Sequence, residues 1–71
     1  MYHERGLCKV SLGRPAEGVP DFDRAIYLKN DQPLYYIWRA KAYKMMGKDQ
    51  EAARDIQQAK LLGMDVPPDF L

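Results

Sequence analysis

The sequence predicts an all-α fold in which about four helices form two stacked antiparallel hairpins. Two observations lead to this prediction. When the chain is aligned with itself so that Tyr2 falls on Tyr36, identical and similar residues coincide without a gap. Within each copy, apolar residues recur at helical spacing, and a glycine separates two helical segments. With 71 residues the chain has room for one small domain, predicted to span residues 1–71.

The internal repeat is defined by aligned pairs of residues. The identical pairs are Tyr2 and Tyr36, Arg5 and Arg39, Gly13 and Gly47, Glu17 and Glu51, Asp21 and Asp55, Ala25 and Ala59, and Leu28 and Leu62. Similar pairs include Gly6 and Ala40, Gly18 and Ala52, and Phe22 and Ile56. Small residues align with small ones and large with large. We therefore predict repeat 1 at about residues 1–32, repeat 2 at about 33–64, and a tail at 65–71.

The first hairpin is the less regular of the two. Its first helix is already under way at the start of the chain, and Gly13 marks the turn that follows. Its second helix contains two prolines and a glycine, but it aligns with a strongly helical segment of repeat 2. Pro15 suits a helix start, whereas Pro20 lies inside the helix, where it lacks the N–H that would bond to Ala16. We predict a local bend between Ala16 and Pro20.

The second hairpin shows ordinary helix signals. Pro33 suits the first position of the third helix, and Gly47 suits a left-handed residue at its end. A fourth helix follows and closes at Gly63. In the tail, Pro67 and Pro68 prevent an ordinary continuation of the helix and predict an extended arm.

The period and the pattern of small and aromatic positions resemble the tetratricopeptide repeat family. The residues that carry the resemblance are Tyr36, Ala40, Tyr43, Gly47, Ala52 and Ala59 in repeat 2, and Tyr2, Gly6, Gly13, Gly18, Phe22 and Ala25 in repeat 1. It covers about residues 1–64 and implies a short right-handed superhelical solenoid. Lys9 departs from the pattern, because it replaces the aromatic residue that Tyr43 supplies. Arg5 and Arg39 stand where leucine is frequent in the family.

Repeats of this kind pack through small and aromatic residues. The expected packing residues are Tyr2, Gly6, Gly18, Phe22, Ala25, Tyr36, Ala40, Tyr43, Ala52, Ile56 and Ala59. Arrays usually need about three repeats, so the last helix is expected to expose part of its apolar face. That face comprises Ile56, Ala59, Leu61 and Leu62. Either the tail, through Val66, Phe70 and Leu71, or another chain would cover it.

The resemblance also implies a binding groove, lined by the first helix of each hairpin. The positions carried over are His3, Leu7, Val10, Leu34, Ile37, Lys41 and Lys44. Such a groove is apolar with a basic edge, and we expect it to bind an apolar segment flanked by acidic residues. Some family members bind a C-terminal carboxylate through a lysine and an asparagine, but His3 and Leu7 occupy those two positions here. Trp38 is either a binding hot spot or a packing residue.

Composition argues against several classes of function. A net charge of +1 lacks the basic excess of nucleic-acid-binding proteins, and no apolar run is long enough to span a membrane. One cysteine and one histidine cannot furnish a common zinc site. Cys8 is expected to be a small buried residue, and a lone cysteine favours a reducing compartment such as the cytoplasm. Asp21 and Asp23 are expected to be solvent-facing or capping acids.

We therefore expect a non-enzymatic module that binds a protein or peptide, with no cofactor, small-molecule substrate, nucleic acid or membrane. Two alternatives remain open from the residues. The chain could be a structural unit that forms homo-oligomers through exposed end helices. It could also be a fragment of a longer repeat protein.

Replacing Pro20 by alanine is expected to raise the free energy of unfolding by up to about 3 kcal/mol, because proline inside a helix costs about that much. Urea denaturation followed by circular dichroism measures the change. Pro15→Ala is the control, since proline costs little at a helix start. A less stable Pro20→Ala variant would show that no helix runs through this segment.

Overall fold

Four α-helices make up the described part of the chain. The computed structural model describes the backbone of residues 2–65 and the side chains of residues 3–65. The helices are α1 (Tyr2–Ser11), α2 (Pro15–Leu28), α3 (Pro33–Met45) and α4 (Asp49–Leu61). Over these residues the structure contains no strand, and it confirms the predicted all-α stack of hairpins. The expected packing of Tyr2 and the expected arm at 66–71 lie outside the described residues.

Glycines end three of the helices. Gly13, Gly47 and Gly63 have φ angles of 79°, 78° and 95°, in the left-handed region that costs glycine little. The residue after each glycine donates its N–H back across the last turn. The bonds run from Arg14 to Lys9 (2.8 Å), from Lys48 to Tyr43 (2.9 Å) and from Met64 to Ala59 (3.1 Å). The two hairpins thus turn with the same backbone geometry.

Small residues let the two helices of each hairpin approach closely. Gly6 and Gly18 are buried between α1 and α2, and Ala40 and Ala52 are fully buried between α3 and α4. A β-carbon added to Gly18 would lie 2.9 Å from the carbonyl oxygen of Gly6, so only glycine fits there. In the second hairpin the same position accepts alanine.

The core has two connected parts. One lies within the second hairpin and contains Tyr36, Ile37, Ala40, Ala52, Ile56 and Ala59. The other joins the hairpins and contains Val10, Phe22 and Ala42, with Leu7, Val19 and Trp38 packed against it. Ile26 of α2 packs against the first part, so α2 contributes to both. Helix α2 is therefore the element that holds the second hairpin against the first.

Two expectations about exposure are wrong. Ile56 and Ala59 are only 5% and 0% exposed, because they face α3 within their own hairpin; Leu61, at 71%, is exposed as expected. Cys8 is exposed, not buried. It aligns with Ala42, which is buried because α2 lies against that side of α3, whereas α2 packs on a different side of α1.

Pro20 does not interrupt α2, which continues through it for two more turns. The Pro20 ring is exposed, as is the aligned Arg54 on α4. A missing backbone hydrogen bond is cheapest to tolerate on such a solvent-facing side, where water can reach the backbone.

The helices of each hairpin are matched in volume. A β-carbon on Gly6 would lie 2.8 Å from Cε1 of Phe22, which is fully buried. The second hairpin combines a larger residue, Ala40, with a smaller one, Ile56, at the same two positions. Each hairpin therefore fills its interface with a different division of volume between its two helices.

Gly6→Ala is expected to lower the free energy of unfolding by about 1–3 kcal/mol, because it overpacks the interface against Phe22. Phe22→Ile alone should also cost stability, because Phe22 packs in the core between the hairpins. The double variant Gly6→Ala/Phe22→Ile should lose less than the two single variants together, since it reproduces the Ala40 and Ile56 pair. Ala40→Gly is the reverse change and should cost more than about 1 kcal/mol, because the void left beside Ile56 adds to the loss of helix propensity. Chemical denaturation of each variant and the wild type measures these changes. Losses that simply add in the double variant would contradict the volume argument.

Candidate protein-interaction surface

Arg39 connects three helices through its guanidinium group. Its Nε and Nη2 atoms donate to the two carboxylate oxygens of Asp55 on α4, at 2.9 and 2.6 Å. Its Nη1 atom donates to Asp23 on α2 at 2.7 Å. The planar donor fork of arginine suits such a bidentate pair, and the remaining donor reaches the neighbouring hairpin. Arg39 thus ties α3 to its own partner helix and to repeat 1.

Arg5 and Asp21 form the corresponding pair in repeat 1, with different geometry. Nε and Nη2 of Arg5 both donate to Oδ1 of Asp21, at 3.1 and 2.9 Å. Nζ of Lys9 lies 3.0 Å from the other oxygen. Hydrogen bonding to Arg5 lowers the pKa of the Asp21 carboxyl, although burial opposes this. Lys9, which aligns with Tyr43 of repeat 2, is therefore the second cation of a buried carboxylate.

Tyr36 and Tyr43 surround the guanidinium of Arg39. The Cζ atom of Arg39 lies 5.7 Å from the centre of the Tyr36 ring and 6.0 Å from that of Tyr43. Hydrogen bonds to Asp55 raise the pKa of Arg39, and burial raises the pKa of the Tyr43 hydroxyl. The hydroxyl of Tyr36 donates to the carbonyl of Asn30 at 3.1 Å, which fixes the α2–α3 loop.

The expectation that Asp21 is a solvent-facing or capping acid is wrong. Asp21 is 4% exposed and Asp55 is 5% exposed, and each carboxylate faces the first helix of its hairpin. A signal was present in the sequence, because the pair of Arg5 and Asp21 recurs at the same spacing, with both residues identical, in repeat 2. These charged groups hold helices together.

An aromatic cluster lies where α1 meets α3. The His3 ring stacks on Tyr35, with centres 5.1 Å apart, and on Trp38, at 5.6 Å and with planes 13° apart. Trp38 also contacts the buried ring of Phe22 at 6.3 Å. The structure thus places Trp38 in packing contact with repeat 1, half-buried, with part of its surface still accessible.

The predicted groove residues divide into two groups. Val10 and Ile37 are 8% and 2% exposed, so they belong to the core and cannot line an open groove. Position in the repeat predicts that both line the groove, but Ile37 is buried against α4 within its own hairpin, and Val10 is buried against Phe22 and Ala42 between the hairpins. The other five retain accessible surface: Leu34 and Lys41 are exposed, and His3, Leu7 and Lys44 are half-buried. These five lie on α1 and α3, and we call them the groove face.

A metal ion requires a group of ligating side chains, and a small ligand requires a cleft. Among residues 3–65, no three histidine, cysteine or acidic side chains gather as metal ligands. A shallow depression on α2 is lined by Pro20, Asp23, Arg24 and Tyr27. No helix of the described part is long and apolar enough to cross a membrane. The groove face combines the exposed Leu34 with the exposed Lys41 and the half-buried Lys44, and it is the candidate interaction surface.

Comparison with known proteins finds distant relatives. Hsc70-interacting proteins 1 and 2 of Drosophila melanogaster are each 31% identical to the chain over 70 residues, which is 97% of this chain and 19% of each relative. A 58 kDa phosphoprotein of Plasmodium berghei is 32% identical over 65 residues, which is 92% of this chain and 15% of that protein. The chain thus spans less than a fifth of the length of these relatives.

No protein-family profile matches the chain, and no solved structure matches it. The relatives that bear a functional name are interaction proteins, and their similarity extends over nearly the whole of this chain.

Arg39→Leu is expected to lower the free energy of unfolding by about 3–5 kcal/mol, because it leaves the buried Asp55 carboxylate uncompensated. Arg5→Leu should cost less, since Lys9 still pairs with Asp21. Denaturant unfolding of both variants measures the difference.

The double variant Arg39→Leu/Asp55→Leu is the control for this comparison. It should recover much of the stability that Arg39→Leu loses, because no buried charge remains. Equal losses for Arg39→Leu and Arg5→Leu would contradict the role assigned to Lys9.

Proposed function

We propose that the chain is a two-repeat module of tetratricopeptide type that binds another protein through its groove face. The observation that carries the proposal is the composition of that face. Leu34 is 40% exposed on α3, and the exposed Lys41 lies two turns further along the same helix. Apolar and basic groups on one rigid surface fit an apolar segment that is flanked by acidic side chains.

The rigidity of this surface comes from the ion pairs beneath it. Arg39 binds Asp23 and Asp55 at once, so α3 is held against both α2 and α4. A helix fixed in this way presents its outer side chains at constant spacing, which lowers the entropic cost of binding a partner. The buried aspartates are engaged in holding helices, which favours a scaffold role over catalysis.

We further propose a chaperone of the Hsc70 class as the partner. The support is the similarity to the two Drosophila relatives, which are named as Hsc70-interacting proteins. Because this chain corresponds to 19% of each relative, the experiment below asks directly whether this segment carries the interaction.

Purified Hsc70 of Drosophila melanogaster, titrated with the full chain in a calorimeter, tests both proposals. Binding is expected, and Lys41→Glu/Lys44→Glu should weaken it at least about tenfold through charge reversal. Leu34→Ser should weaken it as well, because it removes the exposed apolar contact. Arg54→Glu, a charge reversal on the outer side of α4, is the matched control and should leave affinity unchanged.

The outcomes separate the two proposals. Absence of binding by the wild-type chain would overturn the choice of partner. Binding that survives Lys41→Glu/Lys44→Glu and Leu34→Ser, in variants whose circular dichroism remains helical, would overturn the groove face as the binding site.

A further inference from the structure

The side of repeat 1 that faces repeat 2 packs against helix α3. Leu7, Val10 and Val19 pack around Trp38 and Ala42 of repeat 2. Ile26 packs against the core of the second hairpin, and Asp23 binds Arg39 across the junction. This side of repeat 1 is an apolar receiving surface with one carboxylate, and helix α3 occupies it.

The same side of repeat 2 has a different chemistry. In the alignment of the two repeats, three of the four apolar positions of the receiving surface become lysines: Leu7 aligns with Lys41, Val10 with Lys44, and Ile26 with Lys60. Asp23 aligns with Gln57, and Val19 with Ala53. We call this set, Lys41, Lys44, Ala53, Gln57 and Lys60, the end face.

The alignment places these residues on one surface because the two hairpins have the same geometry. The ion pair between first and second helix recurs at the same positions, and so does the left-handed glycine in the turn between them. Lys41 and Lys60 are exposed, on α3 and α4 respectively, and Lys44 is half-buried. The five positions of the end face contain three cations and no acid.

We propose that the end face binds an acidic helix of a partner protein. In repeat 1 the equivalent surface accommodates a helix, so the shape of the end face suits one as well. Lysine stems cover apolar surface while their ammonium groups stay in water, so carboxylates on a docked helix can pair with the exposed Lys41 and Lys60. The change from apolar to basic at three positions thus specifies the charge of the occupant.

Charge argues against a second copy of this chain as the occupant. Stacking two copies end to end would place Arg5 of one copy where Arg39 lies in the junction between repeats. It would then meet Gln57 in place of Asp23, with the lysines of the end face nearby. The side chain of Arg5 is 60% exposed and is already paired with Asp21 of its own hairpin. Like charges brought together in this way oppose self-stacking.

This inference rests on the proposed function, because Lys41 and Lys44 belong to both surfaces. Two residues tell the surfaces apart. Leu34 belongs to the groove face alone, and Lys60, on α4, belongs to the end face alone. A loss of binding in Leu34→Ser therefore reports on the groove face, and a loss of binding in Lys60→Glu reports on the end face.

The probe is a synthetic, alanine-rich helical peptide of about 20 residues, a length that favours helix formation in water. It carries glutamates at i, i+4 and i+7. A matched peptide has glutamines at the same positions. Binding to the full chain is followed by calorimetry and by the fluorescence of Trp38, the single tryptophan. The glutamate peptide should bind at least about tenfold more tightly than the glutamine peptide, and added salt should weaken it.

Lys60→Glu should weaken binding of the glutamate peptide about tenfold, whereas Lys60→Arg should retain it, since the charge is kept. Arg54→Glu on the same helix and Leu34→Ser should leave it unchanged. Circular dichroism checks that each variant is folded. Equal binding of the two peptides, or no effect of Lys60→Glu, would overturn the inference and leave the Hsc70 result untouched. Concentration-dependent dimerisation that Lys60→Glu strengthens would show that a second copy of the chain occupies the end face. That result would also overturn the inference.

Discussion

The junction between the two hairpins depends on the guanidinium group of Arg39. Its bonds to Asp55 and Asp23 join α3 to α4 and to α2 at a single point. A buried ion pair contributes little net stability, because desolvation of the charges offsets their attraction. Its effect is geometric: the three groups meet in one relative position of the helices only. Phe22, Val10 and Ala42 supply the apolar burial, and Arg39 sets the register in which they meet.

The two repeats place a buried aspartate at the same position but pair it with different cations. Asp55 is held by both arms of one arginine, whereas Asp21 is held by an arginine on one oxygen and a lysine on the other. Tyr43 can remain aromatic because Arg39 alone satisfies Asp55. Lys9 cannot be read in isolation as a departure from a pattern, since it completes the environment of a carboxylate on the next helix.

Much of the fold was predictable because the two repeats of the chain can be compared with each other. The alignment of repeat 1 with repeat 2 identified α2 as a helix in spite of Pro20, and the small residues indicated where helices approach. What it could not show was which side of each helix would be covered. Ile37 and Cys8 illustrate this, because stacking of a neighbouring helix decides the burial of each. For Asp21, the recurrence of the Arg5 and Asp21 pair in repeat 2 is a signal in the sequence, but burial of the carboxylate follows only from the packed hairpin.

The division of volume between Gly6 and Phe22, and between Ala40 and Ile56, bears on how such a chain can change. Within a hairpin, the two helices are complementary to each other, so neither can be exchanged alone for its counterpart in the other repeat. Combining α3 with α2 as a hairpin would bring a methyl group against the Phe22 ring, and combining α1 with α4 would leave a void beside Ile56. The hairpin, and not the helix, is therefore the smallest portion of this protein that recombination or engineering can move as a unit.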